Sequence, residues 1–275
     1  MSYPAFLMKP FLDLAHTLWE MPEEYWIDDS PRLRDTELLE EQADGESAID
    51  DMNLRSDMVA KWRRGEVILR VKELPGRTRV VFLGTDDQWS QIPWVLWGKL
   101  FQAIGHPVGH VLFYAHPLLR NFPENSKKSI EANNINAGYS FICQQQVVVI
   151  YRFEEATRVL LHELLHTACF DKGLPVELLE ANTEAWTEVF LCAIMSKGIA
   201  KRFKRLWSQQ CAWIEAQTRL LQETWSVKGP SDYAWRYTIG RHEVLLKKGF
   251  MMPGSQLTGP VGLRFTTPEW DMTMV

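Results

Sequence analysis

The spacing of apolar residues changes character partway along this 275-residue chain. Between Arg77 and Arg152 the apolar residues come in short runs. RVVFLG and HVLFYAH read as strands, and QIPWVLWGKLFQAIG between them reads as a helix ended by Gly105. After a loop rich in Pro and Asn, NAGYSFIC and QVVVIYRF read as two further strands joined by a short glutamine turn. From Glu154 onward a helical period takes over, predicting helices over Glu154 to Phe170, Pro175 to Lys197, Ala200 to Trp225 and Asp232 to Lys248. Gly173 with Pro175, Gly198, and the stretch Lys228 to Ser231 mark the breaks, with Ser231 or Asp232 as N-cap of the last helix. A sheet half leading into a helical half predicts an α+β fold with a small mixed sheet.

Upstream the pattern fades. From Glu20 to Asp57 acidic residues greatly outnumber basic ones and apolar periodicity is weak, which predicts a loosely ordered segment or one wrapped over the surface. The expected organisation is an acidic, partly irregular N-terminal extension (1–75), one domain with a sheet half (76–153) and a helical half (154–250), and an irregular Pro/Gly-rich tail (251–275).

The first helix after the sheet carries the chemistry. In VLLHELLHTACF, Val159 to Phe170, His162 and His166 are one helical turn apart and can aim both imidazoles at one point, with Glu163 beside them. Leu160, Leu161, Leu164, Leu165 and Ala168 make the rest of the circumference apolar, so the helix is expected to be buried on nearly every side. Polar groups in such a place need partners. Zinc would supply one, since its catalytic sites use three protein ligands and keep a position for water. Glu163 would then accept a proton from that water as it attacks a carbonyl, and deliver it to the leaving amine. His162-Glu163-Leu164-Leu165-His166 is the HExxH pattern. The other reading of the same residues is a core helix in a metal-free binding module.

A third ligand is expected from the next helix, where Glu180, Glu184 and Glu188 are spaced by four and share one face. Leu178, Leu179, Ala185, Trp186, Val189 and Phe190 leave little of that helix for water.

Together these residues resemble the gluzincin clan of zinc metallopeptidases, the thermolysin-like group in which a glutamate ligand follows HExxH downstream. That glutamate often sits in an Asn-Glu-Ala context with an acidic residue four further on. Here the match is Asn182-Thr183-Glu184-Ala185 followed by Glu188, with one residue inserted between Asn and Glu. The resemblance implies a zincin-like fold, a Zn²⁺ cofactor and hydrolysis of peptide bonds. It implies His162, His166 and Glu184 as metal ligands, Glu163 as general base, and Glu188 as acceptor for a ligand histidine N–H. It further implies that Asn136, Ala137 and Gly138 belong to an edge strand that binds extended peptide by strand addition. An ordinary strand with a bulge at Gly138 is the alternative. For the oxyanion, the clan draws a donor from its helical half. SDYAWRYTIGRHEVLL offers Tyr233, Tyr237 and Arg241 on one face, with Arg236 and His242 beside them, and Tyr237 is taken first. The similarity extends over roughly 77–191. The metzincin pattern is excluded, because Cys169 and Lys172 stand where it requires glycine and histidine. A zinc-stabilised scaffold or regulatory protein with a blocked cleft would share the same ligands without catalysis.

Composition narrows the partners. With 46% hydrophobic residues the chain can build one sizeable core or two small ones, and a net charge of −5 argues against nucleic acid. No run approaches the roughly 18 apolar residues of a membrane span, and MSYPAFLMKPFLDLAH lacks a secretory apolar region, so a cytoplasmic protein acting on peptide or protein is expected. Cys143, Cys169, Cys192 and Cys211 form no CxxC pair and are expected to be reduced core thiols. His106 and His110 repeat the four-residue spacing, but Pro107 and Gly109 oppose a helix. With His16 and His116 they are expected to be structural. The basic stretch Lys61 to Gly65, with Arg70, Lys72, Arg77 and Arg79, is expected to be a solvated face.

Overall fold

The computed structural model describes residues 5–44, 50–170, 172–252, 254 and 261–270. In chain order the elements are α1 (Ala5–Glu20), β1 (Ile27–Asp29), α2 (Leu33–Asp44), α3 (Leu54–Arg63), β2 (Ile68–Leu74) and β3 (Thr78–Gly84). Next come α4 (Asp86–Ser90), α5 (Trp94–Ile104), β4 (His110–Tyr114), α6 (Ala132–Ile135), β5 (Gly138–Ser140) and β6 (Val147–Ile150). The remainder is helical: α7 (Ala156–Thr167), α8 (Val176–Met195), α9 (Ala200–Thr224), α10 (Tyr233–Tyr237) and α11 (Ile239–Lys247). The fold is mixed α and β, as expected. The chain divides into two compact units, each assembled from separate stretches, rather than into consecutive blocks.

The sheet unit comprises Glu23–Leu119 and Asn136–Phe170, as far as these are described. Its six strands run in the order β1-β2-β3-β4-β6-β5. β3, β4 and β6 are parallel, with Arg79 opposite His110 and His110 opposite Val147. β2 and β1 extend one side antiparallel, and β5 closes the other side antiparallel to β6. The parallel strands read VVFL, VLFY and VVVI because both their faces are covered, which removes the polar alternation of a half-exposed strand. α5 follows β3 and precedes β4, ending at Gly105 in the left-handed region (φ 79°), as its sequence predicts. The indole of Trp97 on α5 donates to the Thr157 hydroxyl on α7 (2.9 Å), tying the crossover helix to the motif helix.

The described residues of the acidic segment are not loosely ordered. It supplies β1, α2 and α3, with Leu38, Leu39, Leu54, Met58 and Val59 buried against Val81, Leu112 and Val149 of the sheet. Its acidic groups meet the basic stretch: Glu24 pairs with Arg77, Asp28 with Lys72, Asp29 and Asp35 with Arg79, Glu40 with Arg63, and Asp57 with Lys61. Two segments that each look solvated alone thus neutralise one another.

The helical unit comprises Met1–Pro22, Arg120–Ile135 and Asp171–Asp271, as far as these are described. α1 packs on α8, with Phe11 among Trp186, Phe190 and Phe250 at ring-centroid distances of 5.5 to 5.7 Å. The predicted final helix is broken: Thr238 (φ −123°, ψ −80°) separates α10 from α11, and its hydroxyl turns back to the Ala234 carbonyl (2.6 Å). Within 261–270 the chain forms no helix or strand and is strapped to α9. Gln217 donates to the carbonyls of Gly262 and Arg264, Trp213 to Arg264, and Gln210 to Phe265. Among the described residues, no helix is long and apolar enough to cross a membrane.

Candidate metal centre

α7 begins where the chain leaves β6 through Glu155, in the left-handed region (φ 58°), and all twelve of its residues are buried. Burial all round explains why the helix is apolar except at the positions that carry its chemistry. His162 and His166 turn toward one another, with their Nε2 atoms 2.9 Å apart. Two nitrogens each about 2.0 to 2.1 Å from one tetrahedral zinc would stand roughly 3.3 Å apart. The imidazoles therefore fit a shared zinc ion after opening by a few tenths of an ångström, a small rotation about the side-chain torsions.

Glu163 points along the neighbouring arc to β5. Its Oε2 accepts from the Ser140 hydroxyl at 2.8 Å, and the same hydroxyl lies 3.1 Å from the Glu163 carbonyl oxygen. Close approach of strand and helix is allowed by Gly138: a Cβ there would stand 2.6 Å from Val159 Cγ1 and 2.7 Å from the Val149 carbonyl oxygen. Gly138 and Ser140 are two apart on a strand and share the face toward α7. Tyr139 takes the other face, packing on the sheet core, with its hydroxyl on Gln42 and Arg55. The family resemblance implies Asn136, Ala137 and Gly138 as the peptide-binding strand. Asn136 and Ala137 precede the strand and are buried, their carbonyls accepting from Arg152 and from the Tyr151 amide. Only Gly138 of the three lies in β5, the terminal strand of the sheet. Ser140 was missed, although its two-residue spacing from Gly138 was the available signal.

The end of α7 corrects the cysteine expectation. Cys143 and Cys169 are joined in a disulfide, with Cα atoms 4.6 Å apart, while Cys192 and Cys211 are buried free thiols. The amides of Cys143 and Cys169 both donate to the His166 carbonyl (2.9 and 3.0 Å), so the bridge sits where the turn after β5 meets the end of the helix. The pair escapes a reading of the sequence because 26 residues separate its members and the left-handed turns that place them (φ 61° and 59°) leave no compositional trace.

On α8, Glu184 and Glu188 are buried and Glu180 is partly so. Glu188 accepts from Arg241 and from Gln210 (2.9 Å), partners that the helical spacing did not indicate. The break at Thr238 interrupts the face that Tyr233, Tyr237 and Arg241 would share on one continuous helix. Tyr233 and Tyr237 stay together, their hydroxyls 3.3 Å apart. Burial pushes the Tyr237 hydroxyl well above the ordinary tyrosine range, and the charges of Glu180 and Glu184 add to that. Elsewhere His116 lies on Asp57 (3.1 Å) and His106 on the Pro107 carbonyl (3.1 Å).

No family model matches the chain, and no curated protein or solved structure matches it.

Proposed function

We propose that the chain is a zinc-dependent metallopeptidase of gluzincin-like type, with a zincin-like arrangement of sheet, edge strand and motif helix. The observation that carries the reading is the convergence of the His162 and His166 Nε2 atoms on one side of α7, with Glu163 on the adjoining arc facing β5. Two neutral imidazoles and a carboxylate have the donor chemistry of a catalytic zinc site. His162 and His166 would hold the ion together with one carboxylate of α8. Glu184 is the ligand the resemblance names, and Glu180 and Glu188 share its face of α8. When bound, zinc would acidify a water and polarise the carbonyl under attack.

The remaining roles belong to the chain. Glu163 would take the water's proton and pass it to the leaving amine. Tyr237, kept protonated by its burial, would donate to the oxyanion. Glu188, gripped by Arg241, would hold α8 in place. The outer edge of β5 would pair with the backbone of an extended peptide.

The first experiment is elemental mass spectrometry of the purified protein beside His162→Ala, Glu180→Gln and Glu184→Gln. About one zinc per chain is expected in the wild type and a loss in His162→Ala, and whichever glutamine variant also loses zinc identifies the third ligand. Glu163→Gln should keep zinc and lose peptidase activity. A wild type that takes up no zinc after incubation with zinc salt overturns the reading.

A further inference from the structure

We propose that Ser140 is the positioning residue for Glu163, an inference that rests on the peptidase reading above. The Ser140 hydroxyl lies 2.8 Å from one carboxylate oxygen of Glu163, and Gly138, on the same face of β5, leaves the room in which the other oxygen sits, 3.6 Å from where a Cβ would be. A carboxylate on a glutamate has three rotatable side-chain torsions, and a general base acts only from the geometry in which it reaches the proton it takes. One charge-assisted hydrogen bond from a strand fixed in the sheet removes much of that freedom. The sheet register fixes the donor in turn, since Tyr139 between Gly138 and Ser140 is paired with Val149 of β6 and held by Arg55 and Gln42. A one-residue slip of β5 would turn Ser140 away from α7 and Tyr139 toward it. Gly138-Tyr139-Ser140 thus works as a unit: a gap, an anchor and a donor. Ser140 does not exchange its own proton with substrate and forms no covalent bond.

The test uses the full chain loaded with zinc, as wild type, Ser140→Ala, Ser140→Thr and Glu163→Gln. Zinc content, crystal structures, and kcat and KM on a peptide selected from a library are measured for each. Loss of a positioning hydrogen bond should lower kcat roughly tenfold in Ser140→Ala, with KM and zinc content at wild-type values. Ser140→Thr, which restores the hydroxyl, should return kcat to within about twofold of wild type. In the crystal structures the Glu163 carboxylate should keep its place in wild type and Ser140→Thr and leave it in Ser140→Ala. An unchanged kcat in Ser140→Ala, or a carboxylate that stays where it was, overturns the proposal. If the wild type cleaves no peptide, the peptidase reading fails by itself, and the position of Glu163 in Ser140→Ala still decides the role of Ser140.

Discussion

Replacing Arg241 by methionine probes what holds the helical unit together. Arg241 and Glu188 pair with both side chains fully buried, and the guanidinium also reaches Gln217 (2.8 Å) and the Phe265 carbonyl (3.2 Å). Arg241→Met keeps the apolar stem but leaves the Glu188 carboxylate in a low-dielectric interior without its cation. Breaking a buried pair in this way costs about 3 to 5 kcal/mol. At roughly 2 to 4 °C per kcal/mol for a chain of this size, Tm should fall by roughly 6 to 20 °C. Removing the second charge as well, in Arg241→Met with Glu188→Met, should recover part of the loss, because the double variant leaves no charge stranded. Urea unfolding followed by tryptophan fluorescence measures both variants, and hydrogen exchange over 262–267 reports whether the strap on α9 loosens. A single variant within about 1 kcal/mol of wild type would refute the reasoning, as would a double variant that loses the full sum of the two single losses.

Other expectations follow from local geometry. Gly138→Ala places a methyl against Val159 and the Val149 carbonyl and should destabilise by about 1 to 3 kcal/mol, read by urea unfolding, with a neutral result excluding the close packing of β5 on α7. Burial raises the Asp35 carboxyl pKa, but the Arg79 hydrogen bond, the Arg32 amide and the charges of Arg79 and His110 outweigh it, so the folded pKa lies below the ordinary 3.8. Asp35 should therefore stabilise fully above about pH 5 and lose its contribution as pH falls through the depressed folded value. Asp35→Asn should flatten that acid limb, and parallel limbs in variant and wild type would contradict the assignment. Thiol titration of the unfolded chain should find two reactive cysteines before reduction and four after it, while four at the outset would exclude the bridge between Cys143 and Cys169 in the purified protein.

What could be read in the sequence was what depends on near neighbours. The apolar runs located β3, β4 and β6, Gly105 ended α5 as expected, and the heavily apolar circumference of α7 implied a helix buried on nearly every side, although the arc of His162, Glu163 and His166 is buried as well. What could not be read depends on partners distant along the chain. Leu38, Leu39 and Met58 were too few among acidic residues to signal helices, and those acidic residues are ordered by Arg63, Lys72, Arg77 and Arg79, which follow them in the chain. The spacing of Tyr237 and Arg241 suggested one helical face, but the local back-bond of Thr238 breaks it and sends Arg241 to Glu188. β1 and β2 were overlooked because β2 is only partly buried along most of its length and carries Arg70, Lys72 and Glu73. On α7 the spacing of four indicated that His162 and His166 share a face, whereas the bond from Ser140 to Glu163 required knowing which face of β5 meets the helix.

The interleaving of the two units bears on how the protein is made. The chain leaves the helical unit after Pro22, returns to it at Arg120, departs again at Asn136 and comes back at Asp171, while the strap on α9 lies within 261–270. A ribosome therefore delivers α1 well before α8 exists to receive it, so its apolar face, including Met8, Leu12 and Ala15, emerges without its final neighbours. Neither unit corresponds to a continuous gene segment. Expressing 76–153 or 154–250 alone would cut through both, and α7 would be parted from the strands it packs on. Dissection by truncation is thus unsuited to this chain, and a circular permutant or a split at an exposed loop, with both pieces present together, is the arrangement that keeps each core supplied with all its parts.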